Sequence, residues 1–199
     1  MTDKYGVEGD TFYCYPNSYI LRNKFDLHDE QILEEAEREF STHAVIGIDF
    51  QEPPYDLNYL CNIHQTLFED IYEWAGQLRK VDISKGNTRF CTFGRIEVES
   101  DKLFKKVATQ HYFAQLESPQ LIEALADFYC ELNVIHPFRE GNGRTQRILF
   151  EHLIVHCGYG VDWSQVKKDE WVVANIHGFH GNLVPLIEVF QRCIVQPEE

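Results

Sequence analysis

Within the twelve residues His136-Pro-Phe-Arg-Glu-Gly-Asn-Gly-Arg-Thr-Gln-Arg147 the chain places a histidine, a carboxylate, two glycines flanking an asparagine, and two arginines three positions apart. Gly141, Asn142 and Gly143 directly precede a helical pattern, so their backbone N–H groups and the positive end of that helix dipole can converge on an anion. Arg144 and Arg147 fall on one face of the first turn, where a cation opposes the dipole. A bound polyphosphate would offset that cost through charge-assisted hydrogen bonds. Glu140 would repel a bare phosphate but can help hold a Mg2+ that bridges phosphate oxygens. His136 emerges where the preceding helix ends and is suited to take a proton from an incoming hydroxyl. An ordinary inter-helix turn, with His136 as a dipole partner and the arginines as surface charges, would use the same residue types.

The elements around this segment read as helices. Ile32, Leu33, Ala36 and Phe40 recur at helical spacing between Asp29 and Thr42. Asp56 can cap a longer helix to Ala75, with Leu60, Ile63, Leu67, Phe68, Ile71 and Trp74 inward and Gly76 closing it. Residues 81–93 change period, and Gly86-Asn87 is placed to turn a short exposed hairpin. Ser100 or Asp101 opens a helix to Leu116, Ser118-Pro119 opens another to about Ile135, and Arg144 to Cys157 forms a third, stopped by Gly158-Tyr-Gly160. Two more are capped by Ser164 and Asn182. Residues 1–26 are aromatic and turn-rich, an arm laid over the rest. The expected fold is all-α, a bundle of about six to eight helices with one small β-hairpin. The expected organisation is a single domain over 1–199, with its helical core at 27–195.

Composition narrows the partners. Eighteen basic and 32 acidic residues give a net charge of −14, which disfavours direct nucleic-acid binding. Arg139, Arg144 and Arg147 leave room only for a local basic pocket. No apolar run reaches the length a bilayer demands, so no membrane partner is expected; the location expected is cytoplasmic, with delivery into another cell left open. Six scattered cysteines without a Cys-x-x-Cys pair are expected to be free thiols. His152 and His156 lie four apart without a third ligand and, like His177 and His180, are expected to be packed rather than metal-bound. The acidic run Glu34-Glu-Ala-Glu37 reads as a solvated helix face. Trp163 and Trp171 read as core or lid residues, and Asn175 as a residue that could face a base-binding pocket.

The motif resembles that of the Fic family, His-Pro-Phe-x-[Asp/Glu]-Gly-Asn-Gly-Arg-x-x-Arg, and every defined position matches. The resemblance extends to Ile71-Tyr-Glu-Trp-Ala-Gly76, Val81-Asp-Ile83 and Gly181-Asn-Leu-Val-Pro-Leu186. It implies a protein adenylyltransferase: His136 deprotonates a target hydroxyl, which attacks the α-phosphorus of ATP and expels pyrophosphate. Glu140 would coordinate Mg2+. Asn142 with the Gly141 and Gly143 amides would form an anion hole, Arg144 would contact the phosphates, and Arg147 would bind the γ-phosphate. The hairpin would be a flap that docks the target protein, with Lys85, Gly86, Asn87 and Thr88 at its turn and Ile83 and Phe90 as clamps or as plain hairpin packing.

Fic proteins are commonly restrained by a [Ser/Thr]-x-x-x-Glu-[Gly/Asn] glutamate that pairs with the arginine matching Arg147. Here Glu8-Gly9 and Glu140-Gly141 are the only Glu-Gly pairs, preceded at that distance by Lys4 and His136, so the motif is absent in cis. The resemblance therefore implies a small antitoxin supplying that helix in trans, as in the toxin branch, whose targets include bacterial topoisomerases such as DNA gyrase. A kinase-like phosphate transferase and a catalytically silent binding module of the same fold are the alternatives. Intact Gly143 counts against the first, and the complete motif counts against the second.

Overall fold

The computed structural model describes Tyr5, residues 10–86 and residues 88–196, and among these it contains seven α-helices. Asp29 caps α1 (Glu30–Val45) by accepting from the amides of Gln31 and Ile32. Asp56 caps α2 (Leu57–Phe68) by accepting from Tyr59 N–H. The helix expected to reach Ala75 stops at Phe68, because Glu69 and Asp70 bring negative charge to the negative end of the dipole. The chain then folds back in turns, with the amides of Ile71 and Tyr72 both donating to Phe68 O. Gly76, at φ 77°, closes that turn rather than the helix.

Helix α3 (Ile96–Thr109) begins earlier than expected, with Glu97 and Glu99 complementing its first turn and Ser100 buried inside it. It also ends earlier. His111, Tyr112 and Phe113 take left-handed backbone, which carries the Phe113 ring into the core beside Phe128. Helix α4 (Ser118–Ile135) has the predicted bounds, and α5 (Asn142–His156) starts two residues ahead of Arg144. Ser164 does not open a helix: Asp162 caps a single 3-10 turn at 163–165, and α6 (Lys168–Phe179) follows. Asn182 accepts from Val184 N–H at the start of α7 (Val184–Cys193).

The hairpin is present as antiparallel β1 (Ser84–Lys85) and β2 (Thr88–Arg89). A second pair, β3 (Gly160–Val161) with β4 (Ile194–Val195), was not expected; it ties the end of α5 to the end of α7. Leu60, Leu67, Leu125, Leu132, Leu149, Phe150, Leu153 and Phe190 form the centre of one core fed by all the long helices. Helices α2 and α4 both pack on α5, so the motif loop between α4 and α5 is fixed from two sides. The described part of the arm covers this region. The Tyr13 hydroxyl accepts from Lys80 N–H, and Lys24 N–H donates to Ile71 O. Among the described residues no disulfide joins the six cysteines and no helix is long and apolar enough to cross a membrane.

Candidate active site

His136 ends α4 in left-handed backbone, φ 49° and ψ 64°, and its N–H still donates to Leu132 O. Such a conformation costs a non-glycine residue about 1–2 kcal/mol and persists only where its surroundings enforce it. Arg79 does that. Its buried guanidinium donates to the carbonyls of His136 (2.8 Å), Val81 (2.7 Å), Ile135 (3.2 Å) and Cys91, placing a cation on the C-terminal end of α4 and joining it to both stems of the hairpin. Beyond His136, Asn142 clamps the loop: its Oδ1 accepts from Phe138 N–H at 2.9 Å and its Nδ2 donates to Phe138 O at 2.8 Å.

The two glycines of the motif serve different purposes. Gly141 has φ 82°, and a Cβ there would lie 2.3 Å from the Phe68 ring, so the fold itself demands glycine. A Cβ on Gly143 would meet nothing within 4 Å. Its bare backbone is open at the first turn of α5, where the N–H groups lack intrahelical partners.

His136 has a defined tautomer. Nδ1 lies 3.1 Å from Asn133 O, which can only accept, so Nδ1 carries the hydrogen and Nε2 presents its lone pair. Phe90 stacks on the ring at 3.9 Å and 17°, and the Tyr5 hydroxyl lies 3.3 Å from Nε2. Burial lowers the His136 pKa to about 3, against the opposing bond to Asn133 and the Glu140 charge. His64 stands behind Glu140. It accepts from Gly76 N–H at Nδ1 (2.8 Å), so Nε2–H donates to Glu140 O (3.0 Å), and its ring stacks on Phe138. Burial lowers His64 to about 4, and lowers His152 as well.

These shifts have a consequence for stability. A histidine whose folded pKa lies below its unfolded value of about 6.5 leaves the unfolded chain to bind the extra proton. Their contribution is therefore intact above about pH 6.5 and is lost as pH falls toward 4 and then 3. Glu37, raised mainly by burial, has the opposite sign and offsets part of the slope. Urea midpoints should fall with acidification over this window, and His64→Gln should reduce the slope by about one proton. A slope unchanged in that variant would contradict the assignment of a buried neutral His64.

The two motif arginines do not share an environment. Arg144 turns toward α1, where its guanidinium meets Glu37 Oε2 at 2.6 Å and Ser41 Oγ at 3.2 Å and lies over the Phe68 ring. Arg147 is exposed, with Nε 3.4 Å from Gly143 O. Glu140 is buried beside them; its Oε1 accepts from Gly141 N–H at 2.9 Å and lies 3.7 Å from Arg144. Glu37 is not solvated as expected for the acidic run. It is buried between Arg144 and the Tyr72 hydroxyl, and its pKa is raised by burial first and by Glu140 second. Two buried carboxylates around one arginine suit a cation, and Mg2+ is usually held by one or two carboxylates plus substrate phosphate oxygens. Glu140 thus fits the ligand role.

Arg139 points away from this pocket. It forms an ion pair with Asp10 at 2.9 Å, both side chains being 2% exposed, and lies near the rings of Tyr5 and Tyr13. In the hairpin, Ser84 faces Arg89 and Lys85 faces Thr88; Gly86 has φ 57°, and Asn87 lies outside the described residues. Lys85 and Gly86 are exposed and Thr88 is half-buried. Ile83 and Phe90 are buried in a small cluster with Tyr5, apart from the main core.

Four residues at the site were not anticipated: Glu37, His64, Arg79 and Tyr5. Glu37 had a signal, since Leu33, Glu37 and Ser41 recur every four residues on the buried face of α1. His64 had a weaker one, next to Ile63 on the apolar face of α2. Arg79 and Tyr5 had none. Of the side chains set aside, His152 bonds the Tyr59 hydroxyl and His156 pairs with Glu52 at 2.8 Å. Trp163 and Trp171 pack on Phe190. Asn175 donates to Trp171 O, and among the described residues its buried Oδ1 has no partner.

Residues 54–154 match the Fic/DOC family. The chain is 41% identical over 199 residues to a probable protein adenylyltransferase Fic of Salmonella typhimurium, covering 100% of this chain and 99% of that protein. It is 33% identical to the protein adenylyltransferase VbhT of Bartonella schoenbuchensis, over 92% of this chain and 39% of that protein. Among solved structures, the BepC protein of Bartonella tribocorum with bound AMPPNP superposes with a TM-score of 0.86 at 26% identity, covering 94% of this chain and 97% of that one. The chain belongs to the Fic/DOC family. Its relatives mark it as an enzyme of the nucleotidyltransferase class.

Proposed function

We propose that this protein transfers AMP from ATP to a hydroxyl side chain of a target protein. The observation that carries the reading is the neutral His136, whose Nε2 lone pair faces a hydroxyl next to the open N-terminus of α5. An acceptor oxygen at that place would attack the α-phosphorus in line while Nε2 takes its proton and pyrophosphate departs. The first-turn amides of α5 and the space at Gly143 favour close approach of phosphate, and Arg147 stands exposed for the γ-phosphate. Arg144, braced by Glu37 beside Glu140, would contact the phosphates from the other side. Glu140 would hold a Mg2+, which would supply charge neutralisation to the phosphates. A target segment would pair with the hairpin strand at Ser84 and Lys85, with Gly86 and Thr88 beside its turn and Ile83 and Phe90 lining its base.

The missing cis-inhibitory motif supports a second layer of the proposal, a small antitoxin partner whose glutamate would engage Arg147 in trans. A bacterial topoisomerase such as DNA gyrase is the target class that the resemblance offers. Incubation with α- or γ-labelled ATP, Mg2+ and a bacterial lysate, beside a His136→Ala control, tests the reaction type. Label transferred from the α position alone is expected. Transfer from the γ position would replace the reading with a kinase, and no His136-dependent label from either would refute it.

A further inference from the structure

Tyr5 occupies the place that the preceding reading assigns to a target. Its hydroxyl lies 3.3 Å from the lone-pair nitrogen of His136. Its carbonyl accepts from Ser84 N–H at 2.9 Å, so it is paired to the hairpin by main chain. Its ring is buried against Ile83 and meets Phe90 edge-on at 6.4 Å and His136 at 5.6 Å. Five residues on, the Asp10–Arg139 ion pair fastens the arm to the motif loop itself. A plain aromatic cover would need only a ring. Here the hydroxyl is the part aimed at the base, and the main chain is held by the strand expected to hold a substrate.

We infer that Tyr5 is an intramolecular acceptor: the enzyme adenylylates its own N-terminal arm. This rests on the AMP-transfer reading. The Tyr5 Oη–phosphorus bond forms, and the bond from the α-phosphorus to the oxygen bridging it to the β-phosphorus breaks. Pyrophosphate leaves with that electron pair, and the phenolic proton passes to Nε2 of His136. Burial raises the Tyr5 pKa well above its ordinary value, so the phenol is neutral and needs such a base. Because the acceptor is covalently part of the enzyme, its effective concentration is set by the chain and not by dilution.

The test uses the full chain with α-labelled ATP and Mg2+ and no other protein, followed by peptide mapping. The expected result is one adenylyl group on Tyr5, added at a first-order rate that stays constant over roughly 100-fold dilution of the enzyme. That label should be absent from Tyr5→Phe and from His136→Ala. Peptide mapping of the unaltered chain keeps the test valid whatever the variants do to folding. A wild-type chain that modifies lysate proteins in a His136-dependent way but carries no AMP on Tyr5, or gains it only in proportion to enzyme concentration, overturns the inference and leaves the AMP-transfer reading standing. Absence of label from both chain and lysate removes both.

Discussion

Replacing His136 by asparagine is expected to slow AMP transfer by about 10²- to 10⁴-fold, the range for loss of a positioned general base. Asparagine is the informative substitution because it tolerates the left-handed backbone that α4 imposes at this position, where alanine adds strain. The loss should therefore appear in kcat, with nucleotide binding little changed, because the proposed phosphate cradle belongs to α5 and not to this side chain. Single-turnover rates and nucleotide affinity measured on the same preparation check this. A variant that weakens nucleotide binding as strongly as it slows turnover would show His136 to be a binding residue.

The second large effect is expected at Arg79, whose guanidinium bonds backbone carbonyls. Replacement by leucine keeps the bulk but strips donors from four carbonyls, those of Val81, Cys91, Ile135 and His136. A buried acceptor left without its partner costs about 1–3 kcal/mol. Even partial rescue by water leaves an expected loss of roughly 3 kcal/mol or more, a large share of a typical domain's stability. Lysine should recover little, since one ammonium cannot span the positions that the planar guanidinium reaches. The loss should show as a lowered urea midpoint at unchanged slope. In whatever fraction folds, kcat should fall as well, because the guanidinium holds the backbone of the proposed base. An unfolding free energy within about 0.5 kcal/mol of the parent would contradict this role.

These two residues mark the divide between what was legible in the sequence and what was not. The motif from His136 to Arg147 could be read because its chemistry is local: a helix end, a glycine turn and a helix start lie in consecutive residues. Helices α1, α4 and α5 announced themselves by apolar period, α4 also by Ser118-Pro119 at its start, and the hairpin by the turn preference at Gly86. The early end of α3 was missed because the backbone leaves the helix to carry the Phe113 ring into the core, and that of α2 because the apolar period runs on past the acidic pair Glu69-Asp70. Arg79 could not be read because its partners are backbone carbonyls up to 57 residues away, which carry no side-chain pattern. Glu37 was lost in an acidic run. Only its position four residues after Leu33 and four before Ser41 distinguishes it from the exposed Glu34 and Glu35.

The splitting of the two motif arginines also changes what each can do. Spacing alone puts Arg144 and Arg147 on one face as equivalent phosphate ligands. In the fold Arg144 is half-buried and braced by Glu37 and Ser41, whereas Arg147 stays exposed, so the two would meet a phosphate group from different sides.

A structure of this protein with Mg2+ and a non-hydrolysable ATP analogue measures the central claim most directly. The expected result is a triphosphate seated on the first-turn amides of α5, with the α-phosphorus facing Nε2 of His136 across the space of one acceptor oxygen and the γ-phosphate on Arg147. A γ-phosphorus facing His136, or a triphosphate bound away from Gly141, Asn142 and Gly143, would contradict it.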